Sequence, residues 1–192
     1  MKSVSAGIVW ALGLCLVGGC VSPQGVTLYQ KMQRKAGKVN SHGGLAAVGV
    51  GSSKDLSNAT KMAMMRGRTE VADSLQTRVN ALTKDFRDQI GDTPESAEYN
   101  MLFSTAAKQL TSQLVQGIAA QEVETETKGD TVSVYALMVQ NPKAIKEYFA
   151  NVKNTPALLY ERFRATQAFN QLDKDIQRYE EFLKQDAATP AP

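Results

Sequence analysis

The sequence predicts an α+β protein, a small antiparallel sheet of about three strands packed by two long antiparallel helices, with a C-terminal helical extension. Three observations carry that prediction. Apolar and small residues recur every three or four positions from residue 55 to 90, and again from 95 to 114, as on one face of a helix. Strict alternation runs through "EVETETKGDTVSVYALMV" around a Lys128-Gly129-Asp130 turn, the pattern of a β-hairpin. "LAAVGVG", from Leu45, is a short apolar run ending in glycines and fits a buried strand.

Ahead of those elements, Lys2 precedes an apolar core from Ala6 to Val17, and Gly18-Gly19 forms a small-residue step before Cys20. Residues 1–19 therefore read as an export signal. About a dozen apolar residues cannot span a bilayer, which needs ~20, and no later stretch approaches that length. Val17-Gly18-Gly19-Cys20 resembles the lipobox of bacterial lipoproteins, in which the cysteine sulfur receives a diacylglycerol before cleavage ahead of it. Leucine is commonest three places before that cysteine; here Val17 stands there and Leu16 one place earlier. A plain secretory signal with an incidental cysteine is the competing reading, and the small residues placed directly after the apolar core weigh against it. Cys15, behind bulky Leu14, is expected to leave with the signal. The processed chain then starts at Cys20, with a net charge of about +2 and no disulfide. Several acyl chains on one cysteine make attachment effectively permanent. Val21 stands where an aspartate would resemble an inner-membrane retention signal, which points to the outer membrane.

Residues 20–44 are expected to be the lipidated cysteine and a basic tether. Lys31, Arg34, Lys35 and Lys38 occur there without any acidic residue. Two readings stand: a flexible spacer, or a basic stretch held against anionic headgroups or cell-wall polymer.

The folded domain is expected over 45–152. The glycines of its first strand invite a nucleotide-binding reading, but no G-x-G-x-x-G or Walker spacing is present. Gly49 and Gly51 instead suit close packing. The long helix carries Leu56, Ala59, Ala63, Gly67, Val71, Leu75, Val79, Leu82, Phe86 and Ile90 on one stripe. Glycine inside a helix costs ~1 kcal/mol against alanine, so Gly67 predicts an element crossing close by. Gly91 suits a helix C′ position, Thr93 a cap and Pro94 a first turn, with Glu95 and Glu98 at the positive helix end. The next helix keeps Tyr99, Leu102, Phe103, Ala106, Leu110 and Leu114 together, and the short connection makes the pair antiparallel.

In the hairpin the second strand is apolar on both faces and is expected to be central, with the glutamate strand at an edge. Glu122, Glu124 and Glu126 share a face at ~6–7 Å spacing, which would suit a hard cation or acid–base work. No second ligand-rich segment accompanies them, and charged edge residues commonly prevent edge pairing, so a solvated face is the stronger reading. Asn141-Pro142 caps a short helix bearing Ile145, Phe149 and Val152. A last helix, 153–186, starts at Thr155-Pro156 and aligns Leu159, Phe163, Phe169, Leu172, Ile176, Tyr179 and Leu183. Its charged flanks leave two readings, a partner-binding helix or one folded back on its own sheet. Residues 187–192 read as a frayed tail.

Three segments, "AAVGVGSS", "ATKMAMMRGRTEVADSL" and "GDTVSVYALMVQNPKAI", together resemble the LPP-twenty lipoprotein family, which includes FlgP-like flagellar outer-membrane lipoproteins. The likeness lies in an apolar Gly-ending strand, a small-Arg-x-x-apolar-Ala step at Gly67 to Ala72, and a "YxL" strand at Tyr135-Ala136-Leu137. It covers roughly residues 45 to 150. Gly67 stands where alanine is more usual, and the helix beyond 155 extends past the shared domain. The resemblance implies a non-enzymatic envelope lipoprotein that oligomerises and belongs to a flagellum-associated structure.

The residues themselves give little to an enzyme. The sole histidine, His42, sits in a Gly-rich approach to the first strand and is expected to be solvated, and no Ser-His or metal-ligand cluster appears. A carboxylate-only hydrolase would need a placed acid pair, for which structural ion pairs are the commoner explanation. No cofactor and no metal are expected, and the modest charge of an exported chain argues against nucleic acid. The reading is a structural or assembly lipoprotein at the periplasmic face of the outer membrane, with itself or envelope and flagellar proteins as partners. The alternative is a monomeric binding lipoprotein for cell-wall polymer or another envelope ligand.

Overall fold

The computed structural model describes residues 26–91, 93–151 and 157–188. Its first element is a correction. Residues Leu28–Ser41 form a helix, α1, where a tether was expected. Thr27 and Gln30 close a capping box, each side chain accepting from the other's backbone N–H at 3.2 and 3.1 Å. Met32, Ala36 and Val39 are buried against Ala46, Val48, Leu137 and Tyr179. The fold thus begins before Leu45, and the basic residues are the outer face of a packed helix.

Strand β1 (Leu45–Ser53) pairs antiparallel with β3 (Thr131–Gln140), which pairs antiparallel with β2 (Ala119–Lys128), giving the order β1-β3-β2. The apolar strand is central and the glutamate strand lies at an edge, as expected. A bulge at Gln121 shifts the register between Ala120 and Glu122.

Helix α2 (Leu56–Ile90) starts on Asp55, whose carboxylate accepts from Asn58 N at 2.8 Å. Its small residues lie against β1. A Cβ on Gly49 would stand 1.9 Å from Ala63 O, and one on Gly51 would stand 2.0 Å from Ala59 O. From the other side, a Cβ on Gly67 would meet Met138 Cγ at 2.6 Å. Backbone touches backbone there, which is why no larger residue fits. At 35 residues α2 is ~52 Å long and overruns the nine-residue strand, ~30 Å, by a wide margin.

The overrunning half builds a second part of the same core. Helix α3 (Pro94–Gln116) turns back along α2 after Gly91, with Thr93 and Ser96 as a capping box. Helix α4 (Lys143–Asn151) is capped by Asn141, whose Oδ1 accepts from Lys143 N at 2.9 Å. Phe86, Phe103, Phe149, Phe163 and Phe169 meet with neighbouring ring centroids 4.1–5.1 Å apart. Such contacts add to plain area burial.

The last helix differs from expectation. It is two, α5 (Ala157–Arg164) and α6 (Gln167–Ala188), broken at Thr166. The buried Thr166 hydroxyl donates to Phe163 O at 2.7 Å and accepts from Phe169 N at 3.1 Å, ending one helix and capping the next. The bend folds α6 back, burying Phe169, Leu172, Ile176 and Tyr179. The expected C-terminal helices are present and pack into the core through Leu159, Phe163, Phe169, Leu172 and Ile176, and helix continues through the first two residues of the expected tail. Thr155-Pro156 and Val152 lie outside the described residues.

Candidate interaction surfaces

Cys20, the residue expected to carry lipid, lies outside the described residues. The fold is entered at Thr27, the cap of α1, seven positions later.

The two charged features of the sequence are neighbours. In the sheet Glu122 pairs with Leu137 and Glu124 with Tyr135, residues packed on the α1 side, so the glutamate row shares that side. Lys35 of α1 donates to both carboxylate oxygens of Glu122, at 2.5 and 2.6 Å. Glu126 accepts from the Tyr135 hydroxyl at 3.3 Å and lies 3.2 Å from Lys128 Nζ. Burial first, and then the Glu126 carboxylate, raise the Tyr135 phenol above its usual pKa. Glu124 has no cationic partner among the described residues. One member of the row, Glu122, is tied to helix α1, and no group of three His, Cys, Asp or Glu that could hold a metal ion occurs among the described residues.

The two sheet edges differ. Asn40 of α1 reads the outer edge of β1 as a strand would, accepting from Ala46 N at 2.7 Å and donating to Ala46 O at 2.9 Å. Arg66 of α2 donates to Val50 O at 2.7 Å on the same edge. Those bonds show that alternate residues of β1 from Ala46 point outward, so their β3 partners, Leu137, Tyr135 and Ser133, face β2. On β2 the backbones of Glu122, Glu124 and Glu126 then bond inward, and those of Val123, Thr125 and Thr127 face the free edge. Nothing among the described residues covers them. Val123 is also one of the exposed large apolar side chains.

His42 is not free in solvent. It ends α1, its Nδ1 lies 2.7 Å from Lys38 O, and its ring stacks on Phe182 with centroids 4.6 Å apart. A separate polar knot, invisible in the sequence pattern, joins three elements. Asp175 of α6 is buried and accepts from Arg78 of α2 at 2.8 Å, from Gln171 at 2.9 Å and from Arg178. Arg78 also donates to Gly43 O at 2.9 Å. Gly43 turns at φ 92°, and a Cβ there would fall 2.6 Å from Asp175 O. Burial lowers the Arg78 pKa and Asp175 opposes that shift. The knot docks α6 against α2 and the turn that precedes β1. The spacing of residues 43, 78 and 175 in sequence carries no local signal that would reveal it.

Comparison of the chain with family models, with curated proteins and with solved structures gives no match.

Proposed function

We propose that this chain is a bacterial envelope lipoprotein with a structural or assembly role. It is held in the outer membrane through Cys20 and joins itself or other envelope proteins. The observation that carries the reading is Gly18-Gly19-Cys20 directly after the apolar core of an export signal. A flagellum-associated assembly is the partner class implied by the resemblance to the LPP-twenty family. Some charged pairs of the described fold join elements to each other, as Lys35 does with Glu122 and Arg78 with Asp175, and that use suits a scaffold. Folding back of α6 commits its apolar stripe within the chain, which leaves the outer edge of β2 as the surface for adding a strand. Thr125→Pro removes one outward N–H from that edge without touching the β3 ladder. Light scattering after size exclusion tests it. The processed protein is expected as a multimer and the variant as a smaller species of unchanged helical content; a monomer in both cases contradicts the assembly role.

A second reading is favoured by one observation. Lys31, Arg34 and Lys38 line the exposed side of α1 with no carboxylate partner among the described residues. That stripe suits an anionic cell-wall polymer bound by a monomer. Co-sedimentation of a monomeric protein with peptidoglycan, lost in Lys31→Ala/Arg34→Ala/Lys38→Ala, would select it over assembly.

A further inference from the structure

We propose that the end of the domain at which the chain enters, built from Val26, Tyr29, Lys54, Leu56 and Lys128, rests in the headgroup region of the phospholipid surface that holds Cys20. The inference rests on the lipid anchor proposed above and adds which face of the protein meets the membrane.

The covalent geometry comes first. The capping box fixes the chain from Thr27 onward, and the seven residues from Cys20 to Thr27 reach at most about 25 Å in any conformation. With α1 a packed helix, no long spacer separates the anchor from the fold. The start of α1 must stay near the surface.

The fold then decides what accompanies it. Helix α1 runs opposite to β1: Asn40 binds Ala46 at one end, while at the other the Tyr29 ring lies 6.2 Å from that of Tyr135. Its start shares an open groove of about 680 Å³ with Val50, Glu126 and Lys128 beside the hairpin turn. Lys54 reaches the same turn, 3.8 Å from Asp130, and Leu56 opens α2 two residues later. Three chain segments therefore end together at the anchored pole.

That pole carries the surface chemistry of an interfacial contact. Val26, Tyr29 and Leu56 are 38%, 41% and 52% exposed, half of the six exposed large apolar side chains among the described residues. Lys54 and Lys128 stand beside them, 3.8 Å from Asp130 and 3.2 Å from Glu126 but largely exposed, and lysines at a membrane surface bury their stems while the ammonium meets phosphate. A tyrosine with one wet and one apolar side favours the same depth. The opposite pole gathers fewer such side chains. Phe86 and Phe103, ~45 Å away along α2, turn inward into the aromatic cluster. Met101, 65% exposed on α3, lies beside that far cluster. The anchored pole thus gathers three exposed apolar side chains beside two lysines where the far pole shows Met101, and the α2–α3 turn stands away from the bilayer.

The sequence supplies a clean reporter. Its one tryptophan, Trp10, lies within residues 1–19, so the processed chain has none. Every described element falls between Thr27 and Ala188, and the chain from Cys20 onward contains them all. Unlipidated processed chain carrying Tyr29→Trp or Met101→Trp is coupled through the Cys20 thiol to maleimide-headgroup lipid. The vesicles consist of phosphatidylethanolamine and phosphatidylglycerol, with and without brominated acyl chains. The tryptophan introduced by Tyr29→Trp is expected to shift its emission to the blue and to be quenched by bromine. The one introduced by Met101→Trp is expected to keep its solution spectrum. Leu56→Trp repeats the test should Tyr29→Trp alter the circular dichroism. Unquenched emission at both proximal positions, or equal quenching at proximal and distal positions, overturns the proposal. A blue shift without bromine quenching reports contact with neighbouring protein and also overturns it. Chemical coupling makes the outcome independent of whether cells lipidate Cys20, which the mass of the native protein decides separately.

Discussion

Gly49 and Gly37 show how two glycines of one chain carry opposite meanings. A Cβ on Gly49 would sit 1.9 Å from the carbonyl oxygen of Ala63, part of the α2 backbone, so a methyl group there moves the whole helix. Gly49→Ala is expected to destabilise the protein by about 3 kcal/mol in urea unfolding, the upper range of overpacking penalties. Gly37 meets nothing within 4 Å and lies on the exposed side of α1. Gly37→Ala is expected to stabilise by about 0.5–1 kcal/mol in the same measurement, through helix propensity alone. The sequence pattern already pointed at the close approach, because Gly67 sat in an apolar stripe where alanine would be cheaper. It held no comparable sign of the Asp175 knot, since a buried carboxylate on a charged helix looks like its exposed neighbours until the fold is known.

At the level of elements, legibility followed the length of the apolar stripe. Eight of the ten stripe positions read along α2, from Ala59 to Phe86, are buried, because nine steps of three and four leave no other face for the core. Helix α1 is hard to read in the sequence for the converse reason. Its stripe is Met32, Ala36 and Val39, three modest residues among four cations, and charge outweighed periodicity. The break between α5 and α6 is concealed because the stripe continues across it; only Thr166, a residue type that caps helices, marks the place. Thr166→Ala is expected to cost about 1 kcal/mol. Amide exchange should rise most at Phe169, whose N–H is held by the Thr166 hydroxyl, while α2 exchange is unchanged; uniform loss of protection would show that the break is not a local cap.

Taken whole, the molecule has two packed regions joined by α2: a sheet covered on both sides, and a bundle organised by five phenylalanines. The Asp175 knot lies where α1, α2 and α6 converge and ties the regions together. Asp175→Ala leaves Arg78 without its anion in a mostly buried place, for an expected loss of about 3 kcal/mol. Thermal unfolding is expected to separate into two transitions as sheet and bundle uncouple, and a single undiminished transition would remove the knot from the account. Cys20, the candidate site on which the functional reading depends, is proposed from local sequence order alone and lies outside the described residues. The surfaces were not legible in that order, because the basic helix, the glutamate row and the closed and open edges acquire meaning only once α1 is seen against the sheet.

The central claim is that Cys20 is the lipid-bearing first residue of the working protein, and intact mass spectrometry of the protein extracted from its native membrane tests it most directly. The account predicts the mass of residues 20–192 increased by a diacylglyceryl group and an N-terminal acyl chain. A chain that still carries residues before Cys20, or one that presents Cys20 as a free thiol, would contradict it.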